Sequence, residues 1–235
     1  MRKFIKSFTI GLMTTVLMST MAYAQESNFV TASVGADVVS GYIWRGSDCG
    51  GFSVQPGITI ETKNGFSLGA WGSVGLDKED TKEFDLFLGY AVDKFSVTVT
   101  DYWFDAYQSD TRYFLYDSHA TAHVFEGTLA YDFDLFSLSV NTNFAGSDYK
   151  SDGDRAYSTY IEASVPFTLD NLDMAFEIGG TPAEGAYSDG ANIVNIGLSA
   201  SHDIKITDSF SVPAFAKVIM NPYADKVYFV FGVSF

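Results

Sequence analysis

Apolar and polar positions alternate with a period of two along almost the whole chain, and no stretch sustains a helical period. In the first expected strand, Phe29 to about Tyr42, Val30, Ala32, Val34, Ala36 and Val38 share one face. Thr31, Ser33, Gly35 and Asp37 share the other. The same beat returns in Val54–Ile60, Phe66–Val74, Phe84–Val92, Phe95–Val99, His123–Tyr131, Leu138–Phe144, Tyr157–Val165, Leu172–Ile178, Val194–Ala200, Phe210–Val218 and Val227–Phe235. That is about twelve strands, an even number. Their connections alternate between longer loops and tight turns such as Lys63-Asn64-Gly65, Asp93-Lys94 and Asp170-Asn171. A transmembrane barrel keeps short turns at one rim and longer loops at the other, with both termini at the short-turn rim. A soluble sandwich has no reason to keep that alternation. The pattern therefore predicts an all-β fold, a single antiparallel up-and-down barrel.

Two features qualify the strand assignments. Pro56, Pro166 and Pro213 fall inside expected strands, where a missing amide donor is poorly tolerated, so they are read as strand ends or bulges. Aromatics near strand ends, among them Tyr42, Trp44, Trp71, Trp103, Tyr131 and Phe210, are read as girdles at the two membrane interfaces. The longest irregular stretch, about Asp105 to Ser118, carries Tyr107, Tyr113 and Tyr116.

The last strand ends on an aromatic carboxy-terminal residue, leaving an open edge unless the first strand pairs with it. Its Phe229, Phe231, Val233 and Phe235 resemble the terminal signature by which outer-membrane barrels engage their assembly machinery. Tyr228, Val230, Gly232 and Ser234 are expected on the inner face.

The amino terminus reads as a secretory signal peptide. Arg2, Lys3 and Lys6 form a basic head, Phe8 to Met18 an apolar stretch, and Ala22-Tyr23-Ala24 a cleavage site before Gln25. This gives a leader over 1–24 and one barrel over 25–235. The formal net charge is −15, and the leader charges are all basic, so the mature chain is more acidic still. Such a surface argues against nucleic acid and against a basic lipid-binding patch. The single cysteine, Cys49, can form no internal disulfide.

The stretch Val39-Ser40-Gly41-Tyr42-Ile43-Trp44-Arg45-Gly46 resembles the opening motif of the TorF-like porin family, whose domain is also known as the Gcw_chp protein of unknown function. Gln55-Pro56-Gly57 to Glu61, Gly65 to Ser73, and Glu83-Phe84-Asp85-Leu86 to Gly89-Tyr90 resemble its next three strands. The resemblance covers about residues 28 to 104. It implies an outer-membrane barrel and a pore, without a substrate.

If the apolar faces meet lipid, the opposite faces line the lumen. By parity these hold Asp37, Glu61, Asp85, Glu126, Glu162 and Glu177 against Arg45 and Lys217. Twelve tilted strands give a backbone cylinder roughly 25 Å across, with about 10 Å free between side chains. An acidic lining would favour small cations. Alternatively, Arg45 and Lys217 pair with those carboxylates and, with inward aromatics, fill the barrel.

Catalysis is not expected. A membrane hydrolase needs a serine, a histidine and an orienting group. Ser118 and His119 are strand neighbours with opposite faces, and His123 and His202 could lie near opposite rims. Asp148, Asp152 and Asp154 could gather a divalent cation, but their spacing does not match an EF-hand and a solvated charge run is expected instead. No cofactor is expected. A third class of function would use the tyrosine-rich loop as a contact surface, and deleting about Ser109 to Ser118 would then abolish partner binding while sparing a pore.

Overall fold

The computed structural model describes residues 22–26, 29–106, 109, 111–208 and 210–235. The leader up to residue 21 and Tyr107 lie outside the described residues. Twelve antiparallel strands form the wall: β1 (Val30–Val39), β2 (Ser53–Thr62), β3 (Phe66–Gly75), β4 (Lys82–Val92), β5 (Phe95–Asp105), β6 (His123–Asp132), β7 (Ser137–Gly146), β8 (Thr159–Leu169), β9 (Leu172–Thr181), β10 (Asn192–Thr207), β11 (Phe210–Asn221) and β12 (Lys226–Ser234). Each strand pairs with its sequence neighbours, and β12 pairs with β1 to close the cylinder. Closure removes the edges that a sheet this size would otherwise expose.

The closing seam lies where the terminal pattern requires it. Gly232 pairs with Val39, Val233 with Val38 and Ser234 with Asp37. Ala36 and Phe235 then exchange both backbone hydrogen bonds at 3.0 Å. Beyond that point the backbone of Ala22–Glu26 continues along the same edge of β1, opposite Thr31–Val34. The expected cut before Gln25 falls within this arm. Removing Phe235 deletes the last reciprocal pair of the seam. We expect the yield of folded barrel to drop several-fold, read as loss of heat-modifiable migration on gels.

The alternation sorts side chains as predicted for most of the wall. Val227, Phe229, Phe231 and Phe235 are exposed on the outside, while Val230 and Ser234 are buried within. Leu68, Leu86, Leu88, Val99, Leu129, Phe176 and Leu198 are likewise exposed outward. The interior is polar: Gln55, Ser73, Thr98, Thr100, Thr128, Asn141, Asn143, Asn195 and Ser199 are buried there. An apolar exterior around a polar interior inverts the soluble arrangement and is the pattern of a membrane barrel.

Several expectations are corrected. The prolines are neither strand ends nor bulges. Pro56 pairs opposite Ala36, Pro166 opposite Ala175 and Pro213 opposite Asp203, all in unbroken register on that side. On the other side a partner is missing. The β7–β8 ladder begins at Ser164, the β11–β12 ladder stops at Ala214, and the β2–β3 ladder lapses between Val54 and Gly57. A proline costs nothing where no acceptor awaits its amide.

Val194 is turned by a bulge between Gly179 and Gly180, which leaves Ile193 outside and buries Val194 at 1 % exposure. Trp71 and Tyr42 are buried inside, 5.6 Å apart, rather than in an interfacial girdle. Trp44 packs with the interior cluster of Tyr160, Tyr187 and Val194.

Candidate functional site

The segment between β1 and β2 is not an open loop. Tyr42–Trp44 and Ser47–Gly50 pair as a small antiparallel hairpin, with Trp44 opposite Ser47. Arg45 and Gly46 make its turn, both with positive φ (50° and 77°). That is the requirement of a two-residue type I′ turn, and the glycine meets it without strain. A Cβ at Gly46 would also lie 1.9 Å from the carbonyl oxygen of Val194, so only glycine lets the tip approach the β10 bulge. Asn221 Nδ2 donates to the Gly46 carbonyl at 3.0 Å and secures the tip to β11.

The hairpin lies inside the barrel, and the side chains of its first strand meet the wall on opposite sides. Ile43 packs against the buried cluster of Val39, Phe215, Ile219 and Val230 from β1, β11 and β12. Tyr42 meets Trp71 of β3, and Trp44 meets Tyr102 of β5 at 5.5 Å. At its far end Asp80 accepts from the Gly51 amide at 3.3 Å, tying the hairpin base to the loop after β3. The hairpin thus bridges opposite walls of the lumen.

Arg45 is the latch. Its Nη1 donates to Glu126 Oε2 at 2.5 Å and its Nη2 to Glu126 Oε1 at 2.9 Å, the planar two-point geometry that guanidinium and carboxylate favour. Nη1 also donates to Tyr187 Oη at 2.5 Å. Tyr102 Oη donates to Glu126 Oε1 at 3.0 Å, so the carboxylate is held from two sides. The guanidinium carbon lies 4.3 Å from the Trp44 ring centroid, 4.9 Å from Tyr160 and 5.8 Å from Tyr187, within cation–π range. Both members of the ion pair are nearly fully buried.

Tyr187 reaches this site because the outer loops are braced. Asp148 accepts from Ser158 N at 2.9 Å and from Ser158 Oγ at 2.5 Å. Ser158 Oγ in turn accepts from the Ala186 amide at 2.7 Å, fixing the 182–191 loop that presents Tyr187. Asp148 is therefore a buried brace, while Asp152 and Asp154 are exposed beside it. Among the described residues no set of three metal-ligating side chains is brought together.

Each sequence-predicted lumen residue falls inside. Asp37, Asp85, Glu126, Glu162, Glu177 and Lys217 are buried and face inward, and Glu61 lies on the inward face of β2 near the short-turn rim. Arg45 is inside too, on the hairpin and not on a strand face. Glu83, overlooked in the sequence although it shares parity with Asp85, is also buried inward. Lys217 bears electrostatically on both Asp37 and Glu177, across the lumen from Arg45 and Glu126. Glu162 accepts from Tyr160 Oη at 2.5 Å and Asn195 Nδ2 at 3.1 Å. Asp85 is wholly buried on the same face of β4 as Glu83. The lining thus carries more carboxylate than base.

Parity reaches only two of the four aromatic partners of Arg45. Tyr102 and Tyr160 were legible as inward residues, but Trp44 and Tyr187 belong to segments with no strand period. The one available signal was the aromatic-rich Tyr42-Ile43-Trp44 run followed by an Arg-Gly pair that suits a tight turn.

Cys49 sits half-buried on the hairpin. Burial, then the charge of Glu83, pushes its thiol up to about 12. The thiol therefore stays protonated until pH nears that value. At about pH 8 we expect maleimide to label it more than about a hundred-fold slower in the folded barrel than in the unfolded chain. Equal rates would place the hairpin outside the lumen.

On the outer wall, Tyr113 and Tyr116 lie over the exterior of β5 and β6. Tyr116 stacks on His123 at 4.5 Å, and Tyr113 packs against Trp103 at 5.5 Å. His123 Nδ1 meets Asp101 Oδ1 at 2.7 Å and Nε2 meets the Tyr113 carbonyl at 2.6 Å. Both ring nitrogens thus face acceptors, one a carboxylate and one a backbone carbonyl. Ser118 Oγ lies 3.1 Å from His119 Nδ1, but the pair is exposed. His202 bonds Asn171 at the short-turn rim.

Wall, seam and hairpin define a closed twelve-strand antiparallel β-barrel with a polar, hairpin-filled interior. The chain belongs to the Gcw_chp family, described as a bacterial protein of unknown function, whose model matches residues 22–209. A search of curated proteins finds no match.

Proposed function

We propose that this protein is a leader-exported outer-membrane barrel, related in role to the TorF-like porins, that admits small cations through a lumen held closed at rest by the Tyr42–Gly50 hairpin. The observation that carries the reading is the excess of acid over base within. Six buried carboxyl groups (Asp37, Glu83, Asp85, Glu126, Glu162 and Glu177) face two bases, Arg45 and Lys217. Where these groups are ionised, low-dielectric walls focus their charge and raise the local concentration of cations. The apolar exterior supports contact with outer-membrane lipid, and the terminal Phe229, Phe231, Val233 and Phe235 pattern supports recognition by the barrel-assembly machinery. Passage needs neither catalysis nor cofactor.

The test is planar-bilayer recording with Tyr42–Gly50 replaced by a short Gly-Ser linker. The account predicts conductance steps with a reversal potential shifted toward the cation equilibrium value. Folded protein without steps would contradict it. The Arg45–Glu126 latch favours a second reading, a permanently closed barrel with a structural or surface-contact role. The same silent recordings would support it.

A further inference from the structure

The cage that holds Arg45 is more elaborate than closing a hairpin requires. A hairpin whose tip is already fixed by the Gly46–Val194 contact and the Asn221 hydrogen bond has no need of a buried charge at its apex. Burying an ion pair is costly and is weak evidence of a stabilising purpose. What the wall presents at this point is a recognition geometry: the Glu126 carboxylate in plane for a two-point contact, Tyr187 Oη as a third acceptor, and the Tyr160 and Tyr187 rings within 6 Å. Tyr102 Oη fixes the carboxylate orientation from β5. All four residues are buried and none belongs to the hairpin: Tyr102, Glu126 and Tyr160 stand on β5, β6 and β8, and Tyr187 on the braced 182–191 loop. Only Trp44 would leave with it.

We infer that Glu126, Tyr102, Tyr160 and Tyr187 form a binding site for a guanidinium-bearing solute in the lumen, and that Arg45 occupies it as a built-in competitor. The inference rests on the proposed closure of the lumen by a hairpin that can withdraw. A planar guanidinium satisfies the carboxylate fork and the aromatic faces together, whereas a quaternary ammonium offers no donors and an alkali ion offers no plane. The tethered Arg45 sits at high effective concentration, so an outside ligand competes poorly until the hairpin moves. Binding and opening would then favour each other, because the ligand engages only the withdrawn state.

The experiment is calorimetric titration of the full-length folded protein with methylguanidinium, with tetramethylammonium as control. Arg45→Ala is expected to bind methylguanidinium at least about tenfold more tightly than the unsubstituted protein, with no response to tetramethylammonium. Adding Glu126→Gln should abolish that binding. Should Arg45→Ala fail to give a heat-modifiable barrel, Gly46→Val empties the same cage and is expected to give the same titration. A folded emptied-cage variant that binds no methylguanidinium, binds it undiminished after Glu126→Gln, or binds tetramethylammonium equally well overturns the inference. The readout needs no conductance. Binding without steps would defeat the pore and leave the site standing, and steps without binding would do the reverse.

Discussion

Glu126→Ala is expected to expel the hairpin from the lumen while leaving the wall intact. The substitution removes both carboxylate acceptors of Arg45 and leaves a guanidinium buried among Trp44, Tyr160 and Tyr187 with only Tyr187 Oη to receive it. Stranding one partner of a buried pair costs about 3–5 kcal/mol. The barrel has a cheaper course than accepting that cost, since withdrawing the hairpin returns Arg45 to water. What opposes withdrawal is the burial of Ile43, Tyr42 and Trp44 and the Asn221 bond at the tip. The result should be read on two observables. Cys49 labelling should rise at least about tenfold as the thiol leaves its buried position beside Glu83. Heat-modifiable migration should persist, because the β12–β1 seam is untouched. Unchanged labelling with a lowered melting temperature would mean that the hairpin stays in place and absorbs the cost.

Gly46→Val should have a comparable effect through sterics alone. The valine Cβ would stand 1.9 Å from the Val194 carbonyl oxygen, a backbone atom that cannot step aside. The turn also holds Gly46 at φ 77°, which a β-branched residue adopts only under strain. Clash and strain together exceed what the tip contacts return. The hairpin is therefore expected to leave the lumen although the Arg45–Glu126 pair is chemically intact. Agreement between a charge variant and a steric variant would separate the position of the hairpin from the electrostatics of the lining. If Gly46→Val labels at Cys49 like the unsubstituted protein, the tip does not rest on the β10 bulge.

The wall was legible in the sequence because a barrel with an apolar outside and a polar inside writes its two faces at every second residue. Leu86 and Leu88 against Asp85, or Phe229 and Phe231 against Val230, leave no other assignment of faces. Asp37, Glu126, Glu162, Glu177 and Lys217 could be placed inside by counting alone. Counting fails wherever register shifts. Val194 follows the outward parity of Ile196 and Leu198, but one bulge turns it inward to receive the hairpin. It also fails for segments that leave the sheet. Tyr42 and Trp44 seemed to belong to the girdle at the end of the first strand, and Arg45 to its inward face, whereas the Ser40-Gly41 break and the Arg45-Gly46 turn fold all three back into the lumen on a hairpin. Trp71 was read as interfacial from its chemistry, although its parity with Gly69 and Ser73 already pointed inside. The long stretch after β5 held no period, so the placement of Tyr113 and Tyr116 over Trp103 and His123 on the outer wall could not be foreseen.

The role of the hairpin as a closure is tested most directly by single-channel recording of the unsubstituted protein and Glu126→Ala in the same bilayer. The account predicts rare or no steps from the former and sustained, cation-selective steps from the latter. Indistinguishable traces, whether both open or both silent, would contradict it.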